Sequence, residues 1–342
     1  MTSIYKYVFG GILGVVVLSV FLLSSGIVNP SWNPFKQPPS GAVLENAIYN
    51  LSQVEKMKIS ALVDLSIESS KKITGNLNLT QSVDYSNKTQ KKNLTDFNLS
   101  VGIEGMELSM NASMIGVDKN LYLKINSFPP YLPLGIDTET LKNQWMLVDP
   151  AKLGLAGFST STITGEQTAK DTQILNDLKT LIADKKIFKL KRNLGQEKIN
   201  GEIVNHYTAE IDKQTAKEIL PKFFAVLDKY LPQQSSGLSS SDGASYQQDL
   251  QNTLTELEQN FDEIWKALGG IGFDVWIGQD NQTLERIKFN KEIQKNKLAI
   301  EIAFSDFNKD FVIEAPTEFK PIEDILPPNL LGISTSTPAV SQ

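Results

Sequence analysis

KISALVDLSIE, from Lys58 to Glu68, alternates apolar and polar side chains with a period of two. Ile59, Ala61, Val63, Leu65 and Ile67 fall on one side, and Ser60, Asp64, Ser66 and Glu68 on the other. Successive side chains of a β-strand point to opposite faces, so this segment reads as a strand with one apolar and one wetted face. The pattern then repeats. Ile73, Leu77, Leu79 and Val83 alternate with Thr74, Asn76, Asn78, Thr80 and Ser82, and Phe97, Leu99, Val101 and Ile103 alternate with Asn98, Ser100 and Gly102. Met106, Leu108, Met110, Ala112 and Met114 alternate with Glu107, Ser109, Asn111 and Ser113, and Leu121, Leu123 and Ile125 follow. Turn-forming residues separate the runs at Ser69–Lys72, Ser86–Lys88, Glu104-Gly105 and Gly116–Lys119. Parallel strands need a crossover of about a dozen residues or more, and no such segment intervenes. The spacing therefore predicts an antiparallel meander.

Upstream, Ser40–Lys56 changes to helical spacing, with Val43, Leu44, Ala47, Ile48, Leu51 and Val54 on one stripe. Ser40 is placed to cap it and Glu45 lies near its start. Before it, Asn29–Pro39 (NPSWNPFKQPP) carries four prolines and reads as a stiff, extended spacer. From Val8 to Leu23 the only non-apolar residues are Gly10, Gly11, Gly14 and Ser19. The uncharged stretch, continued to Val28, reaches the roughly 20 residues of a membrane span. No A-x-A pattern follows it, which favours an uncleaved signal-anchor over a cleaved signal peptide. Lys6 is the only charge before the span, which favours a short cytoplasmic head and the bulk of the chain outside.

Downstream, Gln144–Val148 reads as a short strand and Thr168–Ala183 as a helix. Ile187–Leu194 and Ile203–Ile211 read as strands, with Gly195–Gly201 as the loop between them. Thr215–Tyr230 has helical spacing, and Pro221 marks either a kink or the true first turn. Pro232–Ser245 is low in complexity, and Tyr246–Leu268 is a further helical stretch closed by Gly269-Gly270. Strands follow at Phe273–Ile277, Leu284–Ile293 and Leu298–Phe304, with a short edge strand at Phe311–Ile313. Four regions result: a head and transmembrane anchor (1–28), a Pro-rich linker (29–39), one extracytoplasmic domain (40–325) and an uncharged Ser/Thr/Pro tail (326–342). The expected fold is α+β, a curved antiparallel sheet of about ten or eleven strands covered by helices.

Composition narrows the function. Of 342 residues, 33 are Lys or Arg and 39 are Asp or Glu, a net charge of −6. An acidic chain is a poor binder of nucleic acid over a broad surface. The chain has no cysteine and a single histidine, His206, which removes disulfides, thiolate sites and multi-histidine metal sites. No G-x-S-x-G elbow accompanies His206, so a surface strand residue is the simpler reading of it. Asp280, Asn281, Thr283 and Glu285 lack EF-hand spacing and fit a hairpin turn. Lys185, Lys186, Lys189, Lys191 and Arg192 could face anionic headgroups or merely form a solvated strand edge. Sequons at Asn50, Asn78, Asn87, Asn93, Asn98, Asn111 and Asn281 track the Asn/Ser/Thr content of the polar strand faces. Neither a catalytic residue, a cofactor nor a metal is expected, and the chain does not read as an enzyme.

Three stretches carry a family resemblance. They are GEIVNHYTAEID (Gly201–Asp212), FDVWIGQDNQTLERIKF (Phe273–Phe289) and AIEIAFSDFNKDFVIEAP (Ala299–Pro316). With the order of elements, they resemble the LolA/LppX-type periplasmic and cell-envelope lipoproteins and lipid carriers. Unlike many members, the chain has no lipobox cysteine, and a spanning helix would take that role. The resemblance implies a half-barrel whose cavity holds an acyl chain or another apolar ligand, on a single-pass protein of the bacterial cell envelope. The expected lining is Met106, Leu108, Met110, Met114, Leu121 and Leu123, with Phe223, Phe224 and Leu227 of a helix above them. Methionine fills irregular apolar space, which suits such a cavity, and plain core packing accounts for the same stripe. The competing function is a ligand-free structural or protein-interaction module of the envelope.

Overall fold

The computed structural model describes residues 43–68, 72–87, 90–117, 120–129, 141–148, 187–230, 259–267, 269–293 and 295–325, with 173, 177, 252 and 255. Ile4–Val28, the linker, most of Thr168–Ala183, the Ser-rich stretch and the tail lie outside the described residues. Among those described, no helix is long and apolar enough to cross a membrane.

One curved, unclosed sheet contains all the described strands. A first series runs β1 (Lys56–Glu68), β2 (Lys72–Asp84), β3 (Lys92–Ile103), β4 (Met106–Val117), β5 (Asn120–Ser127) and β6 (Trp145–Val148). A second runs β7 (Phe188–Ile199), β8 (Glu202–Ile211), β9 (Gly272–Gly278), β10 (Leu284–Ile293) and β11 (Asn296–Ser305), and β12 is Lys320–Pro321. Among the described residues the α-helices are α1 (Val43–Ser52), α2 (Lys213–Tyr230) and α3 (Phe261–Ala267). Spatial order is β12-β6-β5-β4-β3-β2-β1-β11-β10-β9-β8-β7, so the two series are joined where β1 meets β11. Each series is an antiparallel meander, as the alternation predicts, and β12 pairs in parallel with β6.

The sheet has twelve strands, more than the ten or eleven expected, and it is mixed. Phe311–Ile313 is not a strand. After β11 the chain turns at Asp306–Asn308, where the Asn308 side chain accepts the Glu55 and Lys56 N–H groups at 3.0 and 3.2 Å. It then crosses the face opposite α1, where Ile313 is buried with Ile115, Val117 and Tyr122. The apolar alternation of Phe311 and Ile313 thus buries side chains against a sheet face without adding a strand to the sheet edge. A second correction concerns Gly195–Gly201. β7 runs through Gly195 to Ile199 and turns into β8 at Asn200-Gly201, both at positive φ (51° and 92°). That is the I′-type two-residue hairpin that Asn-Gly favours. Register shifts at Leu190/Arg192 and Asn193/Gly195 break the alternation, which is why the segment reads as a loop. Of the two readings of Pro221, the structure keeps it inside α2 and not in its first turn.

α1 is shorter than its sequence stripe, and Val54 is buried just beyond it. Leu44, Ala47 and Leu51 pack on Met57, Ile59, Val83, Ala209, Val275, Ile277, Leu284 and Phe304, which come from both series. Burying a leucine contributes roughly 2 kcal/mol, so α1 is a clamp across the β1–β11 junction. Asn50 fastens its end by donating to the Gln282 carbonyl at 2.9 Å.

Candidate ligand-binding face

Strand register lays apolar rows across the α1 side of the sheet. Met110 faces Leu99, then Leu77, Val63, Ile300 and Phe289. The next row is Leu108, Val101, Gly75, Leu65 and Leu298, and the last is Met106, Ile103, Ile73 and Ile67. Val63, Leu298 and Ile300 are buried, with Leu65, Ile67, Leu77, Phe289 and Ile293 half-buried around them. Exposure rises away from α1, to 36% at Leu99, 42% at Ile103 and 61% at Met106. The Glu104-Gly105 turn, at φ 52° and 86°, brings Ile103 and Met106 together at this open end.

The other lining candidates divide. Met114 pairs with Leu123, and Leu123 with Met146. Leu121 is buried in a cluster with Leu141, Met146, Val148 and Ile322, against which Met114 and Leu123 pack. Phe223 is half-buried on α2, while the side chains of Phe224 and Leu227 lie outside the described residues. The described ion pairs of α2 include two to α3: Lys213 and Lys217 meet Asp262 at 2.7 and 2.6 Å. Hydrogen bonds from these two lysines pull the Asp262 carboxyl down to about 2.

On the opposite face, a polar cluster surrounds His206, whose side chain is only 13% exposed. Its ring stacks on Trp276 with centroids 4.2 Å apart, and Nδ1 lies 2.6 Å from Glu197 Oε1. Nε2 lies 3.3 Å from Asp274 Oδ1. Trp276 donates its indole N–H to Glu197 Oε2 at 3.0 Å, and this bond with the His206 bond holds the Glu197 carboxyl below its ordinary value. His206 is therefore packed and partnered, which the alternation alone did not reveal. No serine or threonine hydroxyl is bonded to its ring among the described residues, so no activated nucleophile is set beside it.

The remaining motifs resolve locally. Asn281 Oδ1 accepts the Thr283 N–H at 2.8 Å, an Asx-type bond within the β9–β10 turn. Among the described residues, no group of three or more His, Cys, Asp and Glu is arranged to hold a metal. Lys191 pairs with Glu210 at 2.8 Å and Lys189 with Asp212, so the basic edge is partly neutralised, and Lys185 and Lys186 lie outside the described residues. Asn93 is buried, while Asn78 and Asn98 are exposed. A hollow of about 360 Å3 at the far ends of β2–β4 is lined by polar groups, among them Lys72, Thr74, Ser100, Glu104 and Glu107, together with Met106.

Neither the family models nor the curated proteins contain a match. Among solved structures, the chain is similar to LprF from Mycobacterium bovis, with 13% identity and a TM-score of 0.37 over 81% of this chain and 96% of that one. It is similar to the lipoprotein LppX from Mycobacterium tuberculosis, with 11% identity and a TM-score of 0.29 over 80% and 96%. A lipoprotein-sorting protein domain from Vibrio parahaemolyticus follows, with 10% identity and a TM-score of 0.17 over 85% and 97%. The second is named as a lipoprotein and the third as a lipoprotein-sorting domain. At such identity no residue role and no ligand carries over from them.

Proposed function

We propose that this protein is an extracytoplasmic binding protein, held at the membrane by Ile4–Val28, that keeps a lipid or another apolar ligand against the α1 side of its sheet. One observation carries the reading. The rows ending in Leu99, Ile103 and Met106 leave a continuous apolar strip open beside a well-packed core. Contiguous exposed apolar surface of this kind marks a binding site more often than it marks chance. Met106, Leu108, Met110 and Met114 supply deformable walls, which suits chains of varied length. Leu121 and Leu123 would form one end, and Phe223, Phe224 and Leu227 would cover it.

Enlargement of Met110 tests this. In a solid core Met110→Trp overpacks and costs roughly 1–3 kcal/mol. In an open trough it leaves the melting temperature within about two degrees and blocks uptake of a fluorescent fatty acid. Loss of stability, with no uptake by the parent, would overturn the carrier reading and leave the interaction module.

A further inference from the structure

On the α1 side of the sheet, β2 and β3 carry a polar patch. Gln81 and Thr95 face each other on β2 and β3, with Gln81 Nε2 donating to Thr95 Oγ1 at 3.2 Å. Asn93 and Lys91 continue the same side of β3 and its approach. All four are buried, Gln81 completely and Lys91 to 9% exposure. Thr95 is also the cross-strand partner of Met114, so the polar patch adjoins the apolar rows directly. Hydrogen bonding offsets the cost of burying Gln81 and Thr95. Lys91 is the anomaly. Its Nζ lies 5.8 Å from the centre of the Tyr85 ring, and among the described residues no carboxylate pairs with it. Burial without a counter-charge lowers its affinity for a proton.

We infer that Lys91, at the end of this polar row, is the seat of an anionic head group, and that the ligand is a single-chain amphiphile bound head-inward. The alkyl chain would run from Met114 along Met110 and Leu99 to the open end at Ile103 and Met106. One ammonium matches one negative head through a charge-assisted contact. A carboxylate and a phosphate monoester present the same chemistry to this site. The inference rests on the carrier reading and specifies its ligand.

The test uses the full chain held in amphipol, titrated with three 16-carbon probes: palmitate, hexadecyl phosphate and hexadecanol. The parent should bind at least one anionic probe about tenfold or more tighter than the alcohol, the gain of a charge-assisted contact. Which anion is preferred assigns carboxylate or phosphate. Lys91→Met should abolish that preference and leave alcohol binding unchanged, and Lys91→Arg, which keeps the charge should the first variant fold poorly, should retain it. Equal binding of acid, phosphate and alcohol by the parent overturns the inference and leaves the carrier reading intact. So does an anion preference that survives Lys91→Met. No binding of any probe by the parent overturns both.

Discussion

Glu285 shows how a single side chain can set a pH response. It sits at the irregular start of β10, only 6% exposed. Burial first, and the nearby Glu202 second, push its carboxyl up to about 7. Between its ordinary value of 4.5 and about 7, the folded chain holds a proton that the unfolded chain has released, so stability falls as pH rises through that window. Glu285→Gln removes the titrating group. It should flatten that decline and raise stability at pH 8 by on the order of 1–2 kcal/mol, as read by urea unfolding at pH 5 and pH 8. An unchanged pH profile would show that Glu285 is as hydrated in the folded chain as out of it. None of this is legible from sequence, where Glu285 is one acid in a turn-like cluster. The raised carboxyl depends on burial in the folded sheet and, second, on Glu202, brought near by the pairing of β8 with β9 and of β9 with β10. His206 makes the same point. Its place on the polar side of β8 is readable from alternation, but its stacking on Trp276 and its bond to Glu197 depend on β7 and β9 lying either side of it.

Elements differ in how openly the sequence announces them. The β1–β5 meander is plain because its two faces differ in polarity along every strand. α1 is plain because Leu44, Ala47 and Leu51 keep one stripe. β7 is hidden by its register shifts, and Asn200-Gly201 was the signal that could have revealed its hairpin. The crossing segment at Phe311–Ile313 is hidden because two alternating apolar residues fit a strand and a face-packed strap equally well. The strap and α1 grip opposite faces, and each can be tested alone. Leu44→Ala should cost about 2–4 kcal/mol, because α1 bridges both strand series and cannot easily collapse into the space. Ile313→Ala should also destabilise, by about 2–4 kcal/mol, through its packing on Ile115, Val117 and Tyr122. A loss under 0.5 kcal/mol at Ile313 in chemical denaturation would mean that the strap only rests on the sheet.

Across the whole molecule, protection should follow the strand order. Amide hydrogen exchange should be slowest in β1, β2 and β11, at the centre, and fastest in β7 and β12, which have one neighbour each. Equal rates in β7 and β1 would contradict an unclosed sheet. The meander and the covering helix were legible because they are local. The closure of β1 on β11 was not, since no residue pattern states which distant strand an open edge will accept. That closure has a consequence for biosynthesis. Ala61 pairs with Ile302, so β1 has only one neighbour until nearly the whole chain has been made. A ribosome adds roughly 5–20 residues per second, so the thirteen-residue edge of β1 stays unmatched for on the order of ten seconds or more after it emerges. During that interval the nascent chain presents a long sticky ribbon, an edge open to pairing with other chains.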